Sequence, residues 1–224
     1  MVHFAKAMLN DKGESLEGKR CLIIGAGKVA RSVARKLLEF GAIPLTFSDA
    51  SGHVLEPDGI KSEQLNTITK IKSERGALLG RYIIASTTAQ FNDPENIFDI
   101  PCDLCFPCAA MNIVNEEAAN RLADNGCAAV IEGGYSTVAI DGRKILKKRG
   151  LLYGPHTLTT NGTSIANALG PDASDEQFAG EVARIYKETK DTAQEFNARG
   201  DLFVGANIAG FLRVANAMLS HGAV

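Results

Sequence analysis

The residues with the clearest chemical potential are Gly25-Ala26-Gly27-Lys28-Val29-Ala30, a Gly-x-Gly-x-x-Ala run that directly follows the apolar stretch Cys21-Leu22-Ile23-Ile24. A glycine turn between a buried strand and a helix has a physical purpose. Gly25 permits a tight turn, Gly27 lets a pyrophosphate come close to the backbone, and small Ala30 allows the helix to pack tightly on the strand. The free N–H groups of the helix's first turn then face the anion. Asp49 lies 24 residues beyond Gly25, at the end of the next apolar segment, where a carboxylate can meet an adenosine ribose. By that rule Asp49 favours NAD, because a carboxylate repels a 2′-phosphate, while Ser51 and Lys72 offer compensating hydrogen bonds and charge.

The other chemical candidates have plainer readings. Cys102, Cys105 and Cys108 form a C-x-x-C-x-x-C run, but no fourth cysteine or histidine follows at ligand spacing, so buried structural thiols are expected. His3, His53, His156 and His221 stand singly, with no i, i+4 pair, and are expected to be surface or packing residues. Lys187, Glu188, Lys190 and Asp191 read as a solvated helix face.

The elements that must position the glycine turn follow from periodicity. Val2 to Asn10 has helical spacing without a capping residue, and Lys19 to Ile24 reads as a central strand covered on both faces. A helix runs from the glycine turn to Gly41, with Val29, Val33 and Leu37 on one side, joined by Ala30, Ala34 and Leu38; a second strand is expected at Ile43 to Ser48. Further on come an amphipathic helix at Ser62 to Arg75, a weak strand at Tyr82 to Ala85, and a strand at Asp103 to Phe106. An Asn115-capped helix ending at Gly126 follows, then a strand at Cys127 to Ile131, a basic helix end at Lys144 to Arg149 and a last strand at Leu151 to Tyr153. Two long helices complete the chain. One carries the stripe Phe178, Val182, Ile185, Thr189, Thr192 and Phe196, the other Ile208, Phe211, Leu212, Ala215 and Leu219. Alternating strands and helices predict an α/β, Rossmann-like, doubly wound and mostly parallel sheet with C-terminal helices, because parallel neighbours need crossovers. The expected organisation is one NAD(P)-binding domain over 1–224, made of an opening helical segment 1–18, a βα core 19–170 and C-terminal helices 171–224.

Composition removes several function classes. A net charge of -2 over 224 residues carries no footprint for nucleic acid. The longest apolar stretches noted, such as Cys21 to Gly27, fall short of the roughly 20 residues of a membrane span, so none is expected. The amino terminus lacks a secretory pattern and five cysteines is an odd count for a disulfide framework, which points to a cytoplasmic setting.

Taken together, Gly18 to Ala30 and Phe47-Ser48-Asp49-Ala50-Ser51-Gly52 resemble the second domain of hexameric NADP-type glutamate dehydrogenases. Lys70-Ile71-Lys72, Pro101 to Asn112, Ala129-Val130-Ile131-Glu132-Gly133 and Gly205 to Phe211 agree in order and spacing. The resemblance covers essentially the whole chain. It implies cofactor contacts from Gly25, Gly27, Lys28, Val29, Asp49, Ser51, Lys72, Ala109, Asn112, Glu132, Gly133 and Asn161, and its Ser-Asp-x-Ser-Gly turn with a matching lysine shifts the expected cofactor from NAD to NADP. It also places the family's catalytic lysine and aspartate upstream of Met1, so no catalytic residue is expected within the chain and none that ligates a metal. The departures gather on the nicotinamide side. Glu132-Gly133-Gly134-Tyr135 stands for Glu-Gly-Ala-Asn, losing an asparagine expected near the nicotinamide ribose, and Tyr135 is placed to crowd that space. Asn161-Gly162-Thr163-Ser164-Ile165 comes one residue late, Ala168 falls where a substrate-binding serine is usual, and Lys28 replaces a common asparagine.

Two readings follow. The first is the NAD(P)-binding part of a glutamate-dehydrogenase-like oxidoreductase acting on CH–NH2 donors, with acid–base residues supplied by a separate segment. The second is a non-catalytic dinucleotide-binding sensor or assembly module. A leucine- or valine-type dehydrogenase fits the Ser48 to Gly52 turn less well. The expected partners are a nicotinamide dinucleotide and either further copies of the chain or a complementary substrate-domain chain, because the Ile208, Phe211 and Leu219 stripe needs a cover.

Overall fold

The computed structural model describes residues 1–222. Its centre is a five-stranded parallel sheet in the order β2-β1-β6-β7-β8, formed by β1 (Arg20–Ile24), β2 (Ile43–Pro44), β6 (Leu104–Pro107), β7 (Ala129–Ile131) and β8 (Leu152–Gly154). Strand residues alternate between two apolar cores, as a sheet covered on both faces requires. Cys21, Ile23, Leu104, Phe106, Ala129 and Ile131 face one core, to which α1 (Val2–Asn10), α2 (Lys28–Glu39) and α8 (Asp175–Glu195) add Phe4, Met8, Val33, Leu37 and Val182. Leu22, Ile24, Cys105 and Val130 face the other, with Ala118 and Leu122 from α4 (Glu116–Asp124) and Leu146 from α5 (Ile140–Arg149). The fold is the expected α/β Rossmann-like arrangement.

Local chemistry sets the helix boundaries. The Asn115 side chain accepts from Ala118 N at 2.9 Å, capping α4 behind Glu116 and Glu117. Gly150, at φ 75°, supplies the left-handed end of α5. The segment after Tyr153 folds into the short α6 (His156–Thr159) and α7 (Gly162–Leu169), neither of which the periodicity suggests. Ser174 and Gln177 form a reciprocal capping box at the start of α8.

Three expectations need correction. Ile43 to Ser48 is not one strand of the parallel sheet. Only Ile43–Pro44 joins it, and Thr46–Asp49 becomes β3 of a separate antiparallel sheet with β4 (Gly52–Leu55) and β5 (Gln90–Asn92). The backbone bonds to β1 run on to Leu45, whose N–H donates to Cys21 O at 2.9 Å, and a hydroxyl takes over at Thr46: Ile23 N donates to Thr46 Oγ1 and that hydroxyl donates to Ile23 O, both at 3.0 Å. Tyr82 to Ala85 lies within a 3-10 helix, Leu79–Ala85, rather than a strand, because Leu79 N is held by the Asp49 carboxylate and Tyr82 OH by buried Glu56. Val29 is half-exposed on α2 instead of facing the core, which leaves it at the open end of the glycine turn.

α9 (Leu202–Ser220) packs along α8, with Gly205 over Thr189 and Ala193; a Cβ at 205 would lie 2.4 Å from Thr189 O and 2.9 Å from Ala193 Cβ. By length and composition alone α9 is apolar enough to cross a membrane, a property masked in the sequence because Asn207, Arg213 and Asn216 interrupt its apolar run. Its packing on α8 is that of a paired helix, and its outer face leaves Phe211 70% and Leu219 61% exposed. Gly205→Leu should overpack the helix pair and cost roughly 1–3 kcal/mol. Thermal unfolding should show Tm lowered by several degrees, and an unchanged Tm would mean that the close approach is not a constraint.

Candidate functional site

The parallel sheet reverses its strand order between β1 and β6, since β2 lies on one side of β1 and β6, β7 and β8 on the other. In open α/β sheets ligands bind beyond the carboxyl ends of the strands at such a point. Gly25 is there. Its φ is 110°, and a Cβ would lie 2.6 Å from Cys108 O and 3.5 Å from Ala109 Cβ, so only glycine lets the ends of β1 and β6 meet. Ser48 and Cys108 fasten the turn: Gly25 N donates to Ser48 Oγ at 2.8 Å, Ser48 N to Gly25 O at 3.2 Å and Cys108 N to Ile24 O at 2.7 Å. Ser48 opens the Ser-Asp-x-Ser-Gly turn in the sequence, but its bond to Gly25 N is not among the contacts that turn predicts.

Gly27 is the N-cap of α2, without a side-chain cap, and a Cβ there would meet nothing within 4 Å. The open space above Gly27, the first-turn N–H groups of α2 and exposed Lys28 together suit a pyrophosphate. Buried Ala30 seats the helix on the sheet.

Asp49, Ser51 and Lys72 come together at the end of β3. Asp49 Oδ1 accepts from Ser51 N at 3.0 Å and Ser51 Oγ at 2.6 Å. Its Oδ2 accepts from Lys72 Nζ, on α3 (Ser62–Ser73), and from Leu79 N, both at 2.8 Å. Lys72 Nζ also donates to Ala77 O at 2.8 Å. Burial pushes the Asp49 carboxyl up, but the bonds from Lys72, Ser51 and Leu79 outweigh it and hold it below the usual aspartate value. Its two oxygens therefore serve four donors within the protein.

On the far side of Gly25, Ala109 and Asn112 follow β6, while Glu132 and Gly133 follow β7. Asn112 has φ 58° and its N–H donates to Ser136 O at 2.9 Å, tying the two loops together. Gly133 N donates to Pro107 O at 2.8 Å, and a Cβ at 133 would strike Cys108 Sγ at 2.3 Å. Glu132 differs from its neighbours: its side chain is fully buried and turned into the protein. Oε1 accepts from Val138 N at 2.7 Å and Thr137 Oγ1 at 3.2 Å. Oε2 accepts from His156 N at 2.7 Å and Tyr153 OH at 2.8 Å, with His156 Nδ1 at 3.1 Å. Spacing could not reveal this cluster, because its members come from separate elements. Tyr135 does not fold into the crevice; it is 70% exposed, with its ring edge-on to His156 at 4.7 Å. Asn161 is the residue before α7, its amide donating to Thr157 O.

Cys21, Cys102, Cys105 and Cys127 are buried free thiols, and Cys108 is half-buried. Burial pushes the Cys105 and Cys108 thiols up, which suits packing rather than nucleophilic chemistry. His3 and His53 are buried, His53 with Nδ1 2.8 Å from Asp93 O, whereas His221 is exposed.

The family model described as Glutamate/Leucine/Phenylalanine/Valine dehydrogenase matches residues 1–222. The chain is 36% identical over 236 residues to an NADP-specific glutamate dehydrogenase of Chlorella sorokiniana, covering 100% of this chain and 45% of that protein. It is 34% identical over 239 residues to one from Helicobacter pylori strain J99, covering 99% and 53%. Among solved structures, glutamate dehydrogenase 2 of Plasmodium falciparum superposes with a TM-score of 0.90 at 34% identity, over 100% of this chain and 51% of that one. The chain thus spans about half the length of the curated relatives it matches.

The Asp49 carboxyl generates a pH prediction. Because its folded value is depressed, its contribution to stability is complete above the ordinary aspartate value of about 3.9 and is lost as pH falls through the lower folded value. Lys72→Met should lower stability near neutrality and make this acid limb shallower. Urea unfolding across pH would read both effects, and superimposable profiles would show that Lys72 does not hold the carboxylate.

Proposed function

The chain belongs to the Glutamate/Leucine/Phenylalanine/Valine dehydrogenase family, and we propose that it is the dinucleotide-binding unit, over residues 1–224, of a glutamate-type dehydrogenase acting on a CH–NH2 donor with NADP. One observation carries this reading: a glycine turn open above Gly27, beside an Asp49 carboxylate whose lone pairs are already taken by Lys72, Ser51 and Leu79. An aspartate that selects NAD must present free oxygens to a ribose diol. Asp49 does not, and Lys72 offsets its charge. A 2′-phosphate can then take a hydrogen bond from the third N–H of the Lys72 ammonium, and from the Ser51 hydroxyl once that proton turns from Asp49 to the ligand.

In this assignment Gly25 and Gly27 shape the phosphate site, with N–H groups and charge from Lys28 and Val29. Asp49, Ser51 and Lys72 form the adenosine end, and Ala109, Asn112, Gly133 and Asn161 border the nicotinamide end. Glu132 acts from beneath by fixing the loop that follows it. NADP when bound exchanges a hydride with the amino acid's α-carbon. The general acid–base groups for the amine lie outside this stretch, in the companion half to which the resemblance assigns a lysine and an aspartate. The alternative of a non-catalytic sensing or assembly module gains no support from the relatives, which are named as enzymes.

Calorimetry on the purified chain should show NADPH binding more tightly than NADH. Gly27→Val should abolish both by filling the phosphate space. Lys72→Ala should weaken NADPH roughly tenfold or more, as expected for a charge-assisted bond, with little effect on NADH. Failure of the wild-type chain to bind either dinucleotide would overturn the proposal.

The exposed apolar face of α9, with Phe211, Val214, Met218 and Leu219, is assigned to protein contact, in further copies or in the substrate half. Sedimentation velocity should show self-association that Phe211→Glu reduces. A monomer at every concentration would rule out self-association through this face.

A further inference from the structure

The proposed dinucleotide path gives a direction along the sheet edge. Asp49 marks the adenosine end on the β3 side of β1, and the phosphate turn lies at β1 itself. The opposite end of the ligand therefore runs from β1 toward β6, β7 and β8, strands about 4.8 Å apart. The groups waiting there are Tyr135 and His156. Tyr135 stands where the resembled family has asparagine, and the two rings touch.

His156 is a built hydrogen-bonding site. Its backbone N and its Nδ1 both meet Oε2 of Glu132, at 2.7 Å and 3.1 Å, beneath a carboxylate with no solvent exposure. Every other group at that carboxylate donates: Tyr153 OH, Thr137 Oγ1 and Val138 N. An ionised carboxylate can only accept, so the tautomer assigned here has the proton on Nδ1, and in the neutral ring the lone pair sits on Nε2. Nε2 has no partner among the described residues and is not sealed from solvent. Tyr135 lies edge-on against the ring and restrains it. The result is a restrained acceptor just past the carboxyl end of β8, on the same edge of the sheet as the glycine turn.

Resting on the dinucleotide reading above, we infer that His156 Nε2, oriented by Glu132, accepts a hydrogen bond from the carboxamide N–H of the nicotinamide and so helps to position that ring. A carboxamide presents two N–H donors, and an acceptor held by a buried carboxylate loses little rotational freedom on binding. The structure thus provides an imidazole acceptor at the end where the sequence has lost an asparagine. Glu132 is a positioning residue, and its influence reaches the ligand only through His156.

The test uses the whole chain, calorimetry in mildly alkaline buffer and three probes: NADPH, its 3-acetylpyridine analogue, which has no amide N–H, and adenosine 2′,5′-bisphosphate, which has no nicotinamide end. The wild-type chain should bind NADPH about three- to tenfold more tightly than the acetyl analogue, the range expected for one neutral hydrogen bond. His156→Ala, and His156→Phe, which keeps a ring beside Tyr135, should both remove that preference while leaving the bisphosphate unchanged. Glu132→Gln should reduce the preference if it folds, but the two His156 variants are decisive. If either keeps the preference, or the wild-type chain shows none, the acceptor role is wrong; an amine of the amino-acid substrate as the true donor would appear in this way. Loss of bisphosphate binding in the wild-type chain would instead fault the dinucleotide reading itself.

Discussion

The arrangement hangs on the contact between the Gly25 backbone and the Cys108 carbonyl. Any side chain at 25 would drive a Cβ to 2.6 Å from that oxygen, and the residue's φ of 110° is already one that other residues avoid. Parting the two would separate β1 from β6 at the point where the strand order reverses. From this contact the site spreads in two directions. Ser48 binds Gly25 N and leads into the Asp49 turn, while Cys108 and Pro107 support Gly133 and the loop carrying Tyr135. The adenosine and nicotinamide ends of the proposed ligand are thus set by opposite sides of one glycine.

That contact is held rigid by the sheet beneath it. Each parallel strand alternates its residues between two filled cores, so a one-residue slip of β1 would carry Cys21 and Ile23 to the wrong face and move Gly25 with them. Past Leu45, whose N–H still donates to Cys21 O, the hydroxyls of Thr46 and Ser48 add side-chain bonds to β1 and the glycine turn. The chain can therefore leave the parallel sheet for the β3–β4–β5 ribbon without releasing β1. The ribbon in turn brings Asp49 within reach of Lys72 on α3.

Much of this is legible in the residues. The continuous apolar run of β1, the Gly-x-Gly-x-x-Ala turn and the period of α2 each have a local cause, and local causes are what a sequence displays. Asp49, Ser51 and Lys72 are legible as a group through their resemblance to a known turn. The ribbon is not. Asp49-Ala50-Ser51-Gly52 is also a hairpin turn, with Gly52 at φ 145° and Ser51 N bonded to Asp49 Oδ1, but the further partner strand β5 lies some forty residues away. Tyr82 to Ala85, inside the 3-10 helix Leu79–Ala85, reads as a weak strand because its apolar residues satisfy either pattern; Glu56 and Asp49, both distant in sequence, decide between them. Glu132 reads as a ligand contact for the same reason, since burial of a carboxylate depends on five donors that no spacing rule connects.

Three acidic side chains, Asp49, Glu56 and Glu132, share a single design. Burial pushes the Glu56 carboxyl up, yet Thr88, Tyr82 and Ser86 bond to it and keep it below the usual glutamate value. Asp49 is held by four donors and Glu132 by five. A general base needs a lone pair directed at a substrate proton, and in each of these the lone pairs are committed to the protein. Their charge instead fixes loops: Asp49 the turn and Leu79, Glu56 the segment to Thr88, Glu132 the Tyr135 loop and His156. The chain thus uses Asp49 and Glu132 to hold polar groups beside the crevice and Glu56 to hold those at the opposite end of the β3–β4–β5 ribbon. This agrees with the proposed reading, in which the chain binds and orients a dinucleotide and proton transfer at the amine falls to other residues.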